Sequence, residues 1–190
     1  MLDRIIQHET LSPLIRLCCD ENGTSVDFDE CLIKHDLPDH NKLLILKIDS
    51  YYSSRRMHNP PPSIDCLIIL RCDDGTYSFY LIELRDVGNT SGIKPKEIIP
   101  KFNTVINQFF TEFSDIFLDG TSTIRSVSAW LVTDALGTKN MDEEQYRKKI
   151  KGTVVEQYSS IKPFRILNKI VQLEVVSPRL NSPKPIIKEC

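Results

Sequence analysis

Residues 63–85 read SIDCLIILRCDDGTYSFYLIELR: Ile64 to Arg71 as a strand, Cys72 to Thr76 as a turn, and Tyr77 to Arg85 as a second strand. The length of the turn fixes everything around it. A three-residue loop, Asp73-Asp74-Gly75, combines a type I turn with a glycine in the left-handed region and pairs Cys72 with Thr76. Leu70 then faces Ser78, Leu67 faces Leu81, and Asp65 faces Glu83, with the two acidic side chains starting roughly 5 Å apart on one face. A two-residue Asp74-Gly75 turn shifts the pairing by one and sends Asp65 and Glu83 to opposite faces.

Side chains alternate along a strand, so Glu83 shares its face with Phe79 and Leu81, and Asp65 with Leu67 and Ile69. Two carboxylates at the end of an apolar face repel each other and lose hydration. A divalent cation with oxygen ligands relieves both penalties. Arg85, two positions beyond Glu83, lies on the same face and offers another solution, an ion bridge that neutralises the pair. Both solutions remain open at this level.

The flanking text supplies a domain around this hairpin. Ser12-Pro13 starts a helix through Leu14, Leu17 and Cys18, and a second helix is expected from about Phe28 to His35. Lys42 to Tyr52 suits a strand or a helix equally, and Pro60-Pro61-Pro62 makes the next stretch an extended loop. After the hairpin, Lys101 to Phe117 carries the clearest amphipathic helix, with Phe102, Val105, Ile106, Phe109, Phe110 and Phe113 at helical spacing. Ser126 to Thr133 reads as a strand, 142–151 as a helix, and Phe164–Ile166 with Ile170–Val176 as a late hairpin. The expectation is one α/β (α+β) domain, a mixed central sheet flanked by helices. Residues 1–58 form its helical N-terminal part, 60–176 its core, and 178–190 a mobile tail.

Asp65, a hairpin, Glu83-Leu84-Arg85 on the next strand, then a loop and an amphipathic helix resemble the PD-(D/E)XK nuclease superfamily, which includes many restriction and repair enzymes. The likeness covers about Pro60 to Phe117, with Ser126 to Thr133 as the next core strand, and implies a restriction endonuclease-like α-β-β-α-β core. It further implies that Asp65 and Glu83, with the carbonyl of Leu84, hold Mg²⁺ or Mn²⁺ and that the substrate is DNA. Ile64 stands where the family often has proline. Arg85 stands where the family has the lysine that positions the attacking water, and arginine is a poor proton-transfer group. Either the arginine is tolerated, or the lysine has moved (Lys94, Lys96 or Lys101), or the enzyme is inactive. Such sites often recruit a further acid from the N-terminal helix, and Glu9 is the candidate. Arg55, Arg56, Arg147, Lys148 and Lys149 are candidate phosphate contacts, and a homodimer would suit double-strand cleavage.

Composition narrows the alternatives. Residues 1–90 hold 9 Lys/Arg against 15 Asp/Glu, and residues 91–190 hold 15 against 11, a basic second half compatible with a phosphate partner. The longest apolar run, Cys66 to Leu70, is too short to span a bilayer, and the N-terminus lacks a secretory pattern. The expected location is the cytoplasm, away from membranes. Six cysteines are therefore read as thiols rather than as a disulfide framework, and Cys31 with His35 as a buried thiol and a surface histidine rather than a zinc site. No Gly-rich phosphate loop, His-x-x-x-His pair or Gly-x-Ser-x-Gly elbow is present.

Overall fold

In the computed structural model, which describes residues 1–55, 58–178 and 184–190, the hairpin closes with the three-residue loop. The Cys72 amide donates to the Thr76 carbonyl at 2.8 Å, and the Gly75 amide to the Cys72 carbonyl at 2.9 Å. Gly75 takes φ +80°, a conformation that costs a residue without a Cβ little. Asp74 Oδ1 fastens the turn by accepting from the Thr76 amide at 2.9 Å. The register is Leu67 with Leu81 and Leu70 with Ser78.

The chain begins with α1 (Leu2–Gln7), a single 3-10 turn at Ser12–Leu14, β1 (Ile15–Arg16), β2 (Cys19–Glu21) and β3 (Thr24–Phe28). A short ribbon, β4 (Ile33–Lys34) and β5 (Leu37–Pro38), leads to β6 (Leu43–Lys47) and α2 (Ile48–Ser54). The hairpin strands are β7 (Cys66–Arg71) and β8 (Tyr77–Arg85). Next come α3 (Pro95–Thr104), a π turn (Val105–Phe109), α4 (Phe110–Glu112), α5 (Ser114–Phe117) and β9 (Ile124–Thr133). The last part holds α6 (Glu143–Ile150), α7 (Val154–Tyr158), the ribbon β10 (Phe164–Ile166) and β11 (Lys169–Val171), β12 (Leu173–Val176) and β13 (Ile186–Ile187).

Six strands form the main sheet in the order β1-β6-β7-β8-β9-β12. β6, β7 and β8 are antiparallel neighbours; after the α3 segment the chain returns as β9, parallel to β8, and β12 lies parallel to β9. The fold is thus a mixed α+β arrangement with helices against the sheet. On one face Leu44, Leu46, Leu67, Ile69, Phe79 and Leu81 pack with Ile98, Phe102, Val105 and Phe109 of the α3 segment. On the other face Ile45, Cys66, Ile68, Leu70, Ile82 and Leu84 pack with Cys19, Val26, Leu32 and Ile187. Burial on both faces explains why Leu43–Leu46 and Cys66–Leu70 are continuous apolar runs rather than alternating ones. Truncating a fully buried ring such as Phe102 to alanine costs roughly 3–5 kcal/mol.

The second face is covered by a small sheet, β13-β3-β2, and here several expectations fail. The N-terminal region is largely strand: the Ser12-Pro13 helix is a single turn, and 28–35 holds a 3-10 turn followed by β4. Residues 184–190 are not a loose tail, since β13 pairs with β3 and Ile187 is fully buried. Nor are the cysteines all thiols: Cys19 is bonded to Cys66 and Cys72 to Cys190, clamping this sheet to both ends of β7. Closing loops of 47 and 118 residues contributes about 4 and about 5 kcal/mol by chain entropy. Cys18 and Cys31 are free and exposed, so the buried-thiol reading of Cys31 is corrected too.

The amphipathic helix starts earlier than expected, at Pro95, and its π turn breaks the regular spacing. The extra residue in that turn lets the consecutive rings Phe109 and Phe110 both enter the core, where Phe110 meets Phe79 edge-on at 6.3 Å. No helix among the described residues is long and apolar enough to cross a membrane.

Candidate metal and phosphodiester site

Where β7 begins, the backbone bends at Asp65. Its amide donates to the Ile82 carbonyl at 3.1 Å and its carbonyl accepts from the Ile48 amide at 3.0 Å, so β8 on one side and the start of α2 on the other hold the bend. Its carboxylate Oδ2 accepts the Leu84 amide at 2.7 Å. Leu84 therefore has a role in orienting Asp65 through its N–H, whatever its carbonyl does.

Glu83 is fully buried near the end of β8, two residues after Leu81 on the helix-facing side. Its Oε1 accepts a hydrogen bond from Lys101 Nζ at 2.6 Å, and Arg85 Nε lies 2.8 Å from the same oxygen without a hydrogen bond's alignment. Its Oε2 has no hydrogen-bond partner. Burial drives the Glu83 carboxyl upward, with Lys101 and Arg85 opposing it. An ionised group this deep needs pairing, and one of its two oxygens has none.

Three further residues complete the surroundings from the other side. Lys47, the last residue of β6, places Nζ 3.0 Å from Glu21 Oε2, 3.7 Å from Asp49 Oδ2 and 3.9 Å from Asp65 Oδ1. Carboxylate oxygens of Glu21, Asp49 and Asp65 lie within 4.8 Å of one another, close enough to share one cation. Burial, the charge of Glu83 and the contact with Glu21 push the Asp65 carboxyl up to about 8. That same contact with Asp65 lowers Glu21. Burial pulls the Lys47 ammonium down, yet Glu21, Asp49 and Asp65 outweigh it and the net shift is upward. The donor set is all oxygen, the kind that suits a hard divalent cation.

Glu83, Arg85 and Lys101 form one ionic group. The Asp65 carboxylate, which feels the charge of Glu83, instead binds the Leu84 amide and faces Lys47, and the ladder stops at Cys66 with Ile82, one step short of the expected Asp65–Glu83 pair. The other expected residues do not join them. Glu9 is exposed in the turn after α1, and the further acids are Glu21 and Asp49 instead. Lys94 caps α3 and lies 3.7 Å from Glu97, while Lys96 is exposed on the same helix. Arg55 pairs with Glu112 and stacks 4.3 Å over the Tyr51 ring. Arg147 and Lys148 pair with Glu143 and Glu144 one turn back along α6, and Lys149 is exposed there. Arg56 lies outside the described residues.

Sequence reasoning missed Glu21, Lys47 and Asp49. A signal existed for two of them: Lys47 and Asp49 are the first charged residues after the apolar run Leu43–Leu46, which places them level with Asp65 once that run is a strand paired with β7. Glu21 carries no such signal. No protein-family model, curated protein or solved structure matches the chain.

Proposed function

We propose that this chain is a metal-dependent endonuclease of the PD-(D/E)XK type, hydrolysing DNA phosphodiester bonds with Mg²⁺ or Mn²⁺ in a restriction or defence role in the cytoplasm. The observation that carries the reading is the Lys101 ammonium 2.6 Å from a fully buried Glu83 whose Oε2 is unpartnered and whose charge is felt at Asp65. The order of β6, β7, β8, the α3 segment and β9 supports it, since it carries the two acids at adjacent strand ends as in a restriction endonuclease-like core.

Asp65 and Glu83 would hold the cation, with Glu21 or Asp49 as a further ligand. Such a cation, when bound, polarises the scissile phosphate and acidifies a coordinated water. Lys101, held on Glu83, would supply the ammonium that the family's lysine supplies. Arg85, half-exposed at the rim, offers guanidinium donors to the charge building on the phosphate. Leu84 keeps Asp65 aimed through its amide. A homodimer would present two such sites to the two strands of a duplex.

Lys47 favours a second reading. Its ammonium already sits among Glu21, Asp49 and Asp65, as expected of an inactive nuclease-fold protein that binds nucleic acid or a protein partner. Plasmid DNA incubated with Mg²⁺ or Mn²⁺ separates the two. The enzyme reading expects nicking or linearisation by the native chain, lost in Asp65→Ala and Glu83→Ala variants that still fold. DNA retained on the protein without cleavage supports the second reading.

A further inference from the structure

β2 is three residues long, lies at the edge of its small sheet, and pairs, among the described residues, with β3 alone. Its Cys19 and Glu21 point the same way, toward the main sheet. Cys19 is bonded to Cys66, and Glu21 reaches Lys47; Cys66 and Lys47 are themselves direct partners on neighbouring strands, and Cys66 adjoins Asp65. One covalent and one ionic link therefore run side by side from β2 to the rim of the acidic group. The ionic link is partly wet, with the Glu21 side chain 38% and the Lys47 side chain 19% exposed, and such pairs fix geometry weakly. Cys19 is also the sole residue of β2 in the core of that face. The covalent link is what holds Glu21 in place. The second bridge, Cys72–Cys190, anchors the C-terminal segment at the far end of β7, about 20 Å away along the strand.

We propose that the Cys19–Cys66 bridge is a redox latch on the cation site: oxidised, it holds Glu21 with Asp49 and Asp65; reduced, it releases Glu21 and weakens cation binding. The inference rests on the divalent-cation reading of that site. A dithiol reductant supplies the electrons. Both cysteines are buried, so exchange follows local opening of the short edge strand β2: one thiolate of the reductant then attacks a bridge sulfur, the Cys19–Cys66 bond breaks, and a mixed disulfide forms. The second thiol then closes the reductant's own disulfide, leaving thiols on Cys19 and Cys66 with the two protons and two electrons the reductant has lost. In a thiol-buffered compartment the latch is open and the nuclease restrained; oxidising conditions close it.

Calorimetric titration with Mn²⁺ at fixed pH tests this on the full chain, oxidised or reduced with dithiothreitol and then desalted anaerobically, with thiol counting to confirm each state. Reduction and Cys19→Ser should each weaken Mn²⁺ binding by about tenfold, whereas Cys190→Ser should leave it within about twofold. Glu21→Gln should weaken binding by the same factor in the oxidised protein, and reduction should then add nothing. Should Cys19→Ser not fold, the Glu21→Gln comparison carries the test with native cysteines. Unchanged affinity on reduction overturns the latch, as does a reduction effect that persists in Glu21→Gln. Oxidised protein that binds no Mn²⁺ at all overturns the cation reading itself, and the latch with it.

Discussion

The two halves of the candidate site meet at Asp65 and are built in opposite ways. The inner half, Glu83 with Arg85 and Lys101, comes from one strand and the helix that follows it, and its acid is fully buried. The outer half, Glu21, Lys47 and Asp49, comes from three elements of the first fifty residues and is half-exposed, with β2 tied to β7 through Cys19–Cys66. Packing holds the inner half in a low-dielectric setting where charge interactions are strong; wet ion pairs hold the outer half. The inner half is therefore suited to chemistry, and the outer half to adjusting how well a cation is held.

Substitutions in the inner half should be the more severe. Lys101→Met leaves the buried Glu83 carboxylate to Arg85 alone, so cleavage should fall by about 10²- to 10⁴-fold in a plasmid assay. The variant should also lose about 3 kcal/mol in urea titrations at pH 8. The deficit should shrink toward pH 5, because burial already raises the Glu83 carboxyl and losing Lys101 raises it further, letting a proton replace the missing ammonium. An equal deficit at both pH values would show that Glu83 is not charged in the folded protein.

In the outer half Lys47→Met should work in the opposite direction. Removing the resident ammonium leaves three carboxylates without their cation, so Mn²⁺ should bind about tenfold more tightly by calorimetry. A loss of stability that Mn²⁺ does not restore would mark the group as a structural ion network.

Protons should compete with the cation at the junction. The Asp65 carboxyl titrates at about 8 in the folded chain against an ordinary 3.8, so at neutral pH it holds a proton that a cation must displace. Mn²⁺ affinity should rise by up to about tenfold per pH unit from pH 6 and flatten near 8. Without divalent cations, the folded chain binds more protons than the unfolded one throughout that window. The stability Asp65 contributes is therefore full below about pH 4 and lost as pH rises toward 8, a slope that thermal melts resolve and Asp65→Asn removes. Arg85→Lys should matter least, changing cleavage by no more than about threefold, because Lys101 already donates to the same Glu83 oxygen.

The same contrast explains what the sequence discloses. The β7–β8 hairpin and its register follow from local chemistry, because the Asp73-Asp74-Gly75 loop and the alternation of side chains act over a few residues; the ladder stops at Cys66 with Ile82, one step short of the expected Asp65–Glu83 pair. The sequence offers Lys94, Lys96 and Lys101 alike; the fold brings Lys101 to Glu83. Glu21 was out of reach, since its approach depends on β3, β13 and the Cys19–Cys66 bond, contacts separated by dozens of residues. The same long-range closure turned an apparent tail into β13 and apparent thiols into two bridges.

Anomalous diffraction from crystals grown with Mn²⁺ tests the central claim most directly. A manganese peak touching the carboxylates of Asp65 and Glu83, with the Lys47 ammonium moved off Asp65, is the predicted result. Lys47 seated among Glu21, Asp49 and Asp65, with no manganese at Glu83 even at saturating Mn²⁺ and pH 8, would contradict it.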